Sequence, residues 1–130
     1  MFTDIKLNEF TSIIDLCNQD NEGDCAAYIH NARLFVRGDN TEVMLRFDDK
    51  ALHRITIARI EFAHTRSGYG TKLLELIKEY GKQNGYKTIC IESVLSDEGY
   101  AFATKHGFKR KENGILESMG GYFGDYLLDI

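Results

Sequence analysis

The sequence predicts a mixed α/β domain, an α+β sheet in which antiparallel hairpin strands are followed by a β-α-β-α-β unit. Residues 34–45 show a short apolar alternation on each side of Gly38, which is typical of a β-hairpin. Between residues 53 and 94, an apolar run, a Gly-x-Gly turn, a helical pattern and a second apolar run follow one another. That order indicates a parallel β-α-β unit, so helices and strands alternate after the hairpin.

The amino-terminal half contains one predicted helix and the hairpin. Residues 7–19 have apolar side chains at helical spacing and are followed by the polar run QDNEGD, where the helix is expected to end. The stretch 23–31 has no assigned element. In the hairpin, Leu34 and Val36 on one strand face Val43 and Leu45 on the other, with Gly-Asp-Asn between them.

The next strand is predicted over residues 53–63, and its apolar alternation changes parity between Ile57 and Ile60. A β-bulge is the simplest device that shifts a strand by one residue in this way. A helix over residues 71–84 follows, capped by Asn84-Gly85, because glycine is favoured directly after a helix.

The last third of the chain continues the alternation. Residues 88–94 are predicted as a buried strand, and Ser96 as the N-cap of a helix that ends at His106-Gly107. Residues 108–110 and the terminal segment YFGDYLLDI are predicted as the final strands.

Composition bounds the class of protein. With 130 residues, the chain is expected to form a single domain over residues 1–130. Its net charge of −4 disfavours nucleic-acid binding, which depends on Lys and Arg contacts to phosphates, and is compatible with a cationic partner such as an amine.

Cysteine and histidine usage predicts a cytoplasmic protein without a metal. Cys17, Cys25 and Cys90 form no C-x-x-C pair, and the four histidines show no zinc spacing with them. Residues 1–6 lack the profile of a signal peptide, and no apolar run approaches the length of a membrane span. We therefore expect reduced thiols and no membrane partner.

The stretch HTRSGYGTKLL places Gly68 and Gly70 between a strand and a helix. Glycines at such a junction let the chain turn sharply, and the first amides of the helix can then bind an anion such as phosphate. A tight chain reversal without a ligand explains the same spacing, and the glycines alone leave the two interpretations open.

The order of motifs over residues 55–109 resembles the GNAT superfamily of acyl-coenzyme A-dependent N-acyltransferases. In its signature, Gln/Arg-x-x-Gly-x-Gly/Ala, the small positions match Gly68 and Gly70, whereas Thr65 stands at the Gln/Arg position. Downstream, the matching residues are Ser96, Gly99, Phe102 and the pair Gly107-Phe108. The resemblance implies a central mixed sheet with a splayed parallel strand pair.

The resemblance also implies acetyl-CoA as co-substrate and transfer of its acetyl group to an amine of a small molecule or a protein. The amides of residues 66–71 would hold the pyrophosphate, and the bulged strand near residues 60–63 would pair with the pantetheine arm. The residues expected to bind the cofactor are Ile60, Phe62, Ala63, Arg66, Ser67, Gly68, Tyr69, Gly70, Thr71, Ser96, Phe102 and Lys105.

Catalytic candidates follow from the position of the thioester that the resemblance implies. Glu61 is the first candidate base, Glu92 the second, and His64 a third. The tyrosine acid that is frequent in the family falls on Ala103, so water or another group such as Tyr100 or Ser96 would protonate the thiolate. The alternative function is a non-catalytic acyl-CoA-binding or protein-interaction module on the same fold.

The amino terminus is short compared with the family. The acceptor side is therefore expected to be open, or completed by a second copy of the chain through apolar residues of the last strand. Lys105 belongs to a basic set that is expected either near the 3′-phosphate of the cofactor or on a solvated face without a ligand, which is the more frequent role of such a set. The other members are Lys72, Lys109, Arg110 and Lys111.

Overall fold

A computed structural model describes residues 5–48, 53–94, 97–110 and 124–130 of the chain. The helices are α1 (Thr11–Asn21), preceded by a 3₁₀ turn (Leu7–Phe10), α2 (Tyr69–Gln83) and α3 (Asp97–Lys105). The strands are β1 (Ala26–His30), β2 (Arg33–Arg37), β3 (Glu42–Asp48), β4 (Arg54–Glu61), β5 (Thr88–Val94), β6 (Lys109–Arg110) and β7 (Gly124–Asp129).

The described strands form one mixed sheet in the order β1-β2-β3-β4-β5-β7-β6. Only β4 and β5 pair in parallel, with α2 connecting them, and every other pair in the sheet is antiparallel. The predicted fold class and the predicted hairpin, now β2 and β3, are therefore confirmed.

Strand β1 is the element that the sequence analysis missed. It pairs with β2 through a tight turn at Asn31 and Ala32, which have φ of 49° and 59°. Such turns usually contain glycine. Because Ala32 replaces it and β1 is only five residues long, the segment carries little of the usual hairpin signal.

One face of the sheet carries the hydrophobic core. Leu45, Ile57, Ile91 and Tyr126 are register partners on adjacent strands, and all four are buried. Aromatic contacts join this face to the helices: the ring of Phe47 lies 5.2 Å from that of Phe10 and 5.6 Å from that of Tyr80. Burial of these apolar side chains holds α1 and α2 against the sheet.

The predicted bulge is present in β4. Met44 of β3 pairs with Arg59, whereas the next residue, Leu45, pairs with Ile57. Ala58 is the extra residue, and it explains the change of parity between Ile57 and Ile60.

The parallel pairing of β4 and β5 ends early. Its last partners are Ile57 and Ile91, although β4 continues to Glu61 and β5 to Val94. The predicted splayed pair is therefore confirmed, and the backbone groups on the facing sides of the two strand ends do not pair with each other.

Most element boundaries shift by one or two residues from the prediction. Helix α2 begins at Tyr69 instead of residue 71, and α1 extends to Asn21 instead of residue 19. The predicted N-cap Ser96 and the basic residue Lys111 lie outside the described residues.

Candidate functional site

A cleft of about 680 Å³ opens where β4 and β5 stop pairing. Its walls come from the end of β4, the glycine turn before α2, the end of β5, and α3. The volume is in the range of small-molecule sites. Nine of the residues expected to bind the cofactor line it: Ile60, Phe62, Arg66, Gly68, Tyr69, Gly70, Thr71, Phe102 and Lys105.

Gly68 explains how the chain enters α2. It is the N-cap residue, with φ of 85°, and its carbonyl accepts the first helical hydrogen bond from the Lys72 amide at 3.0 Å. Among the described residues, no side chain caps this helix start. The following amides therefore have no partner within the helix, and they lie in the wall of the cleft, where an anion would satisfy them.

Gly70 is required for a different reason, the close approach of α2 to α3. A Cβ at this position would lie 2.9 Å from Cε1 of Phe102, which also lines the cleft. Thr71 of α2 also shares a hydrogen bond with His106, the residue that follows α3, between its Oγ1 and Nε2 at 3.2 Å. Burial lowers the pKa of His106, with the charge of Lys105 acting in the same direction.

The approach to the glycine turn is held by a residue that the sequence analysis overlooked. Asp20, near the end of α1, is 0% exposed. Its carboxylate accepts hydrogen bonds from Thr41 Oγ1 at 2.5 Å, from the amides of Ala63 and His64 at 2.7 and 2.9 Å, and from His64 Nδ1 at 3.0 Å.

The hydrogen bonds that Asp20 accepts favour the ionised form of its carboxyl group. Burial would raise the pKa of the carboxyl group, but the hydrogen bonds donated by Thr41, His64 and Ala63 hold it below its usual value. The hydrogen bond to Asp20 raises the pKa of His64, and the charges of Asp20 and Glu22 add to this effect. In sequence, Asp20 lies within a polar run and gives no sign of burial.

The structure separates the two candidate bases. Glu92 lines the cleft, and Arg46 Nη2 donates to its Oε2 at 2.6 Å. Glu61 is exposed, stands opposite Glu42 in the sheet, and is not among the residues that line the cleft. The third candidate, His64, lies in the cleft wall.

The proton-donor candidates lie away from the cleft. Tyr100 is 40% exposed and contacts the ring of Tyr126 edge-on at 6.1 Å, and it does not line the cleft. Ala103 is fully buried in the core, and its methyl side chain has no proton to donate. Burial raises the pKa of the Cys17 thiol to about 12 and that of Cys90 to about 11, which argues against a cysteine nucleophile.

The other three residues predicted to bind the cofactor are Ala63, Ser67 and Ser96. Ala63 does not line the cleft, and its amide is already bonded to Asp20. Ser67 also lies outside the lining set, with its hydroxyl 3.5 Å from the Thr65 carbonyl. Ser96 cannot be placed because it is outside the described residues.

In the described part of the chain, no helix has the length and apolar character that a membrane span requires. Within the same residues, no group of three or more His, Cys, Asp and Glu side chains is arranged to hold a metal ion.

The chain matches no family model and no curated protein, but it is similar to several solved acetyltransferases. The PaiA N-acetyltransferase of Thermoplasma acidophilum in complex with coenzyme A is 16% identical, with a TM-score of 0.56 over 95% of this chain and 69% of that one. A Bacillus subtilis acetyltransferase in complex with CoA is 16% identical, with a TM-score of 0.52 over 100% and 97%.

A third similar structure is longer than this protein. Nourseothricin acetyltransferase is 17% identical, with a TM-score of 0.56 over 75% of this chain, and the match spans only 64% of that enzyme. At these identities the similarity shows a shared fold. The fold implied by the sequence resemblance is thus confirmed.

Proposed function

We propose that this chain, which has the GNAT fold, binds acetyl-CoA in the cleft between β4 and β5 and transfers the acetyl group to an amine. One observation carries the proposal. The parallel strands separate after Ile57 and Ile91, and the cleft between them ends at the uncapped amino terminus of α2. A slot between free strand edges that leads to an anion site suits an extended ligand with amides and phosphates.

The glycine turn would hold the phosphates. The amides at the start of α2 have no helical partner, and the helix dipole adds partial positive charge at the same end. Arg66 and Lys105 also line this part of the cleft. These groups favour a ligand with several negative charges, even though the whole chain carries a net charge of −4.

The bulged end of β4 would hold the pantetheine arm. After Ile57, β4 no longer pairs with β5, so backbone groups on that side of residues 58–62 are accessible to a ligand. An extended amide-containing arm can pair with them as an added strand would. Ile60 and Phe62 contribute apolar side chains to the same wall.

Glu92 is the residue we assign as the proton acceptor. The bound thioester supplies an electrophilic carbonyl; attack by a neutral amine forms a C–N bond, breaks the C–S bond and releases a proton. Glu92 lies in the cleft wall, and its ion pair with Arg46 holds the carboxylate in place. Glu61, the first candidate from sequence, is the less favoured base because it is outside the cleft.

No described side chain is assigned as the acid. Ala103 has no proton to donate, and Tyr100 lies outside the cleft. A coenzyme A thiolate can leave and then take its proton from water, so the reaction proceeds without a dedicated donor. The buried Ala103 is also the observation that favours the second candidate, a module that binds acyl-CoA without turning it over.

Calorimetry with acetyl-CoA tests the binding step first. Desulfo-CoA and dephospho-CoA serve as comparison ligands. We expect saturable binding that weakens when the 3′-phosphate is removed, because Lys105 and its basic neighbours would lose an anionic partner. No binding at millimolar ligand would refute acetyl-CoA as a ligand.

Turnover separates the enzyme from the binding module. In a screen of small-molecule and peptide amines with release of free thiol as the readout, Glu92→Gln should lower the rate about 100-fold or more, because general bases typically contribute factors in this range. Glu61→Gln is the matched control and should leave the rate unchanged. A bound cofactor without turnover on any amine would favour the module.

Several finer points stay predictions. They are the identity of the acceptor amine, the acyl group, the homodimer, the cytoplasmic location and the extent of the single domain over residues 1–130. Sedimentation of the purified chain tests the homodimer directly.

A further inference from the structure

We propose that Asp20 is a positioning residue for the loop formed by residues 63–68, here called the cofactor loop, and that it links α1 to cofactor affinity. The positional part of this inference stands on hydrogen bonds within the chain. The part that concerns affinity rests on the proposed function, and the experiment below separates the two.

A carboxylate that is fully buried needs a full set of donors. Asp20 is 0% exposed and has them: its Oδ2 accepts from Thr41 Oγ1 and from the Ala63 amide. Its Oδ1 accepts from the amide and the ring Nδ1 of His64. Since an unpaired buried charge is strongly destabilising, these donors are held where the carboxylate requires them.

The carboxylate is itself fixed in space. Ile13, Leu16 and Cys17 of α1 are buried in the core, so the helix that carries Asp20 cannot move relative to the sheet without exposing them. Asp20 therefore provides a fixed hydrogen-bond acceptor for the backbone directly after β4.

The cofactor loop has few other backbone supports. The pairing of β4 with β3 ends at Glu61, whose partner is Glu42. Among the described residues, Thr65, Arg66 and Ser67 form no backbone–backbone hydrogen bond before the Gly68 carbonyl meets Lys72. Between the end of the sheet and the start of α2, the two amides bound to Asp20 are thus the main attachment of this segment.

The ring of His64 adds a second link from the same loop to α1. Its Nδ1 faces Asp20, its Nε2 lies 3.1 Å from Glu22 Oε2, and its ring lies 6.1 Å from that of Tyr69 in α2. The charged groups in contact with it are therefore the two carboxylates of the α1 end. A protonated ring donates to both, whereas a neutral ring donates to only one.

Thr41→Val provides a matched control. Thr41 is 2% exposed and donates to the same carboxylate, but it lies outside the cofactor loop, directly before β3. Valine keeps its shape and removes the hydroxyl. Asp20→Asn keeps the shape of the carboxylate, but its amide nitrogen cannot accept a hydrogen bond from a backbone N–H.

Amide hydrogen exchange by NMR on the ligand-free chain tests the positional part. In Asp20→Asn one carboxylate oxygen is kept, so one of the two amides, that of residue 63 or that of residue 64, loses its acceptor. This amide should lose about tenfold or more in protection relative to the core, as expected for one lost buried hydrogen bond. Thr41→Val should lower global stability while the protection of these amides relative to the core stays at the wild-type level. Equal losses in the two variants would overturn the inference.

Calorimetry with acetyl-CoA tests the affinity part on the same variants. We expect Asp20→Asn to weaken binding by about tenfold and Thr41→Val to leave it unchanged. If the wild type binds no acetyl-CoA while the exchange result is as expected, the proposed function fails and the positional role stands. If the wild type binds and Asp20→Asn binds equally well, the link to affinity is wrong.

A surface variant covers the case in which Asp20→Asn does not fold. The side chain of His64 is 41% exposed, so His64→Gln preserves the core. In the wild type, protection of the residue 63 and 64 amides should fall as pH rises from about 6 to about 8.5, because the link to Glu22 is lost. In His64→Gln this pH dependence should vanish, and its persistence would refute the coupling.

Discussion

The two ends of α2 have nearly the same local geometry and different roles. Gly68 precedes the helix with φ of 85°, Gly85 follows it with φ of 82°, and neither has a heavy atom within 4 Å of a Cβ built on it. At the carboxyl end, Asn84 closes the helix by bonding to Tyr80 and Gly81. At the amino end no side chain does so, and the amides lie in the wall of the cleft.

Gly70 and Gly81 show the same contrast between the cleft and the core, because each glycine allows a neighbouring side chain to pack closely against the helix. A Cβ at Gly70 would lie 2.9 Å from the Phe102 ring, in the cleft wall. A Cβ at Gly81 would lie 2.7 Å from Cδ1 of Ile130 and 3.3 Å from Cδ1 of Ile55, in the core. A glycine therefore indicates a backbone or packing requirement, and only its surroundings decide whether that requirement serves a ligand.

The largest expected effect is that of Gly68→Glu against Gly85→Glu. Each substitution forces a left-handed conformation that costs about 1–2 kcal/mol, so both should lower the free energy of unfolding by similar amounts. Only Gly68→Glu places a carboxylate among the amides of the proposed phosphate site, and it should weaken acetyl-CoA binding by about 100-fold or more in calorimetry.

This pair can also refute the site. If Gly68→Glu still bound acetyl-CoA with wild-type affinity, the assignment of the phosphates to the start of α2 would be wrong. The same conclusion would follow if Gly85→Glu lost binding to the same extent.

Gly70→Ala against Gly81→Ala should give the next largest effect. Overpacking costs about 1–3 kcal/mol, and the Phe102 ring can yield only by moving at the cleft, so Gly70→Ala should weaken binding by about fivefold. In Gly81→Ala, a gain of about 1 kcal/mol from helix propensity offsets the cost of displacing the Ile130 side chain. This variant should leave the affinity for acetyl-CoA unchanged. Calorimetry and thermal melts measure both, and a binding defect in Gly81→Ala would contradict the contrast.

Lys105→Ala against Lys82→Ala should give a smaller effect. Both side chains are exposed, but Lys105 lines the cleft, whereas Lys82 lies in the last turn of α2. Lys105→Ala should weaken acetyl-CoA binding by about threefold at low ionic strength, a loss that fades as salt screens the charge. A loss that is independent of salt would mean that the side chain acts through packing.

The smallest effect concerns two histidines whose pKa values shift in opposite directions: His64 in the cleft wall and His106, which is hydrogen-bonded to Thr71. The pKa of His64 is raised above its ordinary value of 6.5, so its contribution to stability is full below pH 6.5 and is lost as pH rises through the raised pKa. That of His106 is lowered, so its contribution is full above pH 6.5 and is lost as pH falls.

Thermal melts of His64→Gln and His106→Gln across this pH range check the two signs. The wild type should exceed His64→Gln in stability most clearly at the acidic end. Relative to His106→Gln, the wild type should lose stability toward the acidic end. If the stability difference from the wild type changed with pH in the same direction for both variants, the opposite pKa shifts of the two histidines would be contradicted.

Local sequence patterns predicted much of the fold because each follows from short-range physics. The parity change between Ile57 and Ile60 located the bulge, since a strand has a period of two residues. Strand β1 was missed because its turn at Asn31-Ala32 contains no glycine. At the site, Gly68 and Gly70 marked the loop. Glu61 was ranked above Glu92 because it lies on the strand beside the expected thioester, but the bulge in that strand obscures which way its side chain points.

The sequence by itself determined the order of the elements, the bulge, the glycine turn and the GNAT resemblance, because these depend on residues close together in the chain. Only the tertiary structure decided that Glu92 and not Glu61 lies in the cleft, and that Asp20 holds the backbone of residues 63 and 64. These contacts join residues about forty positions apart. Such pairings depend on how the helices pack on the sheet, which no local pattern encodes.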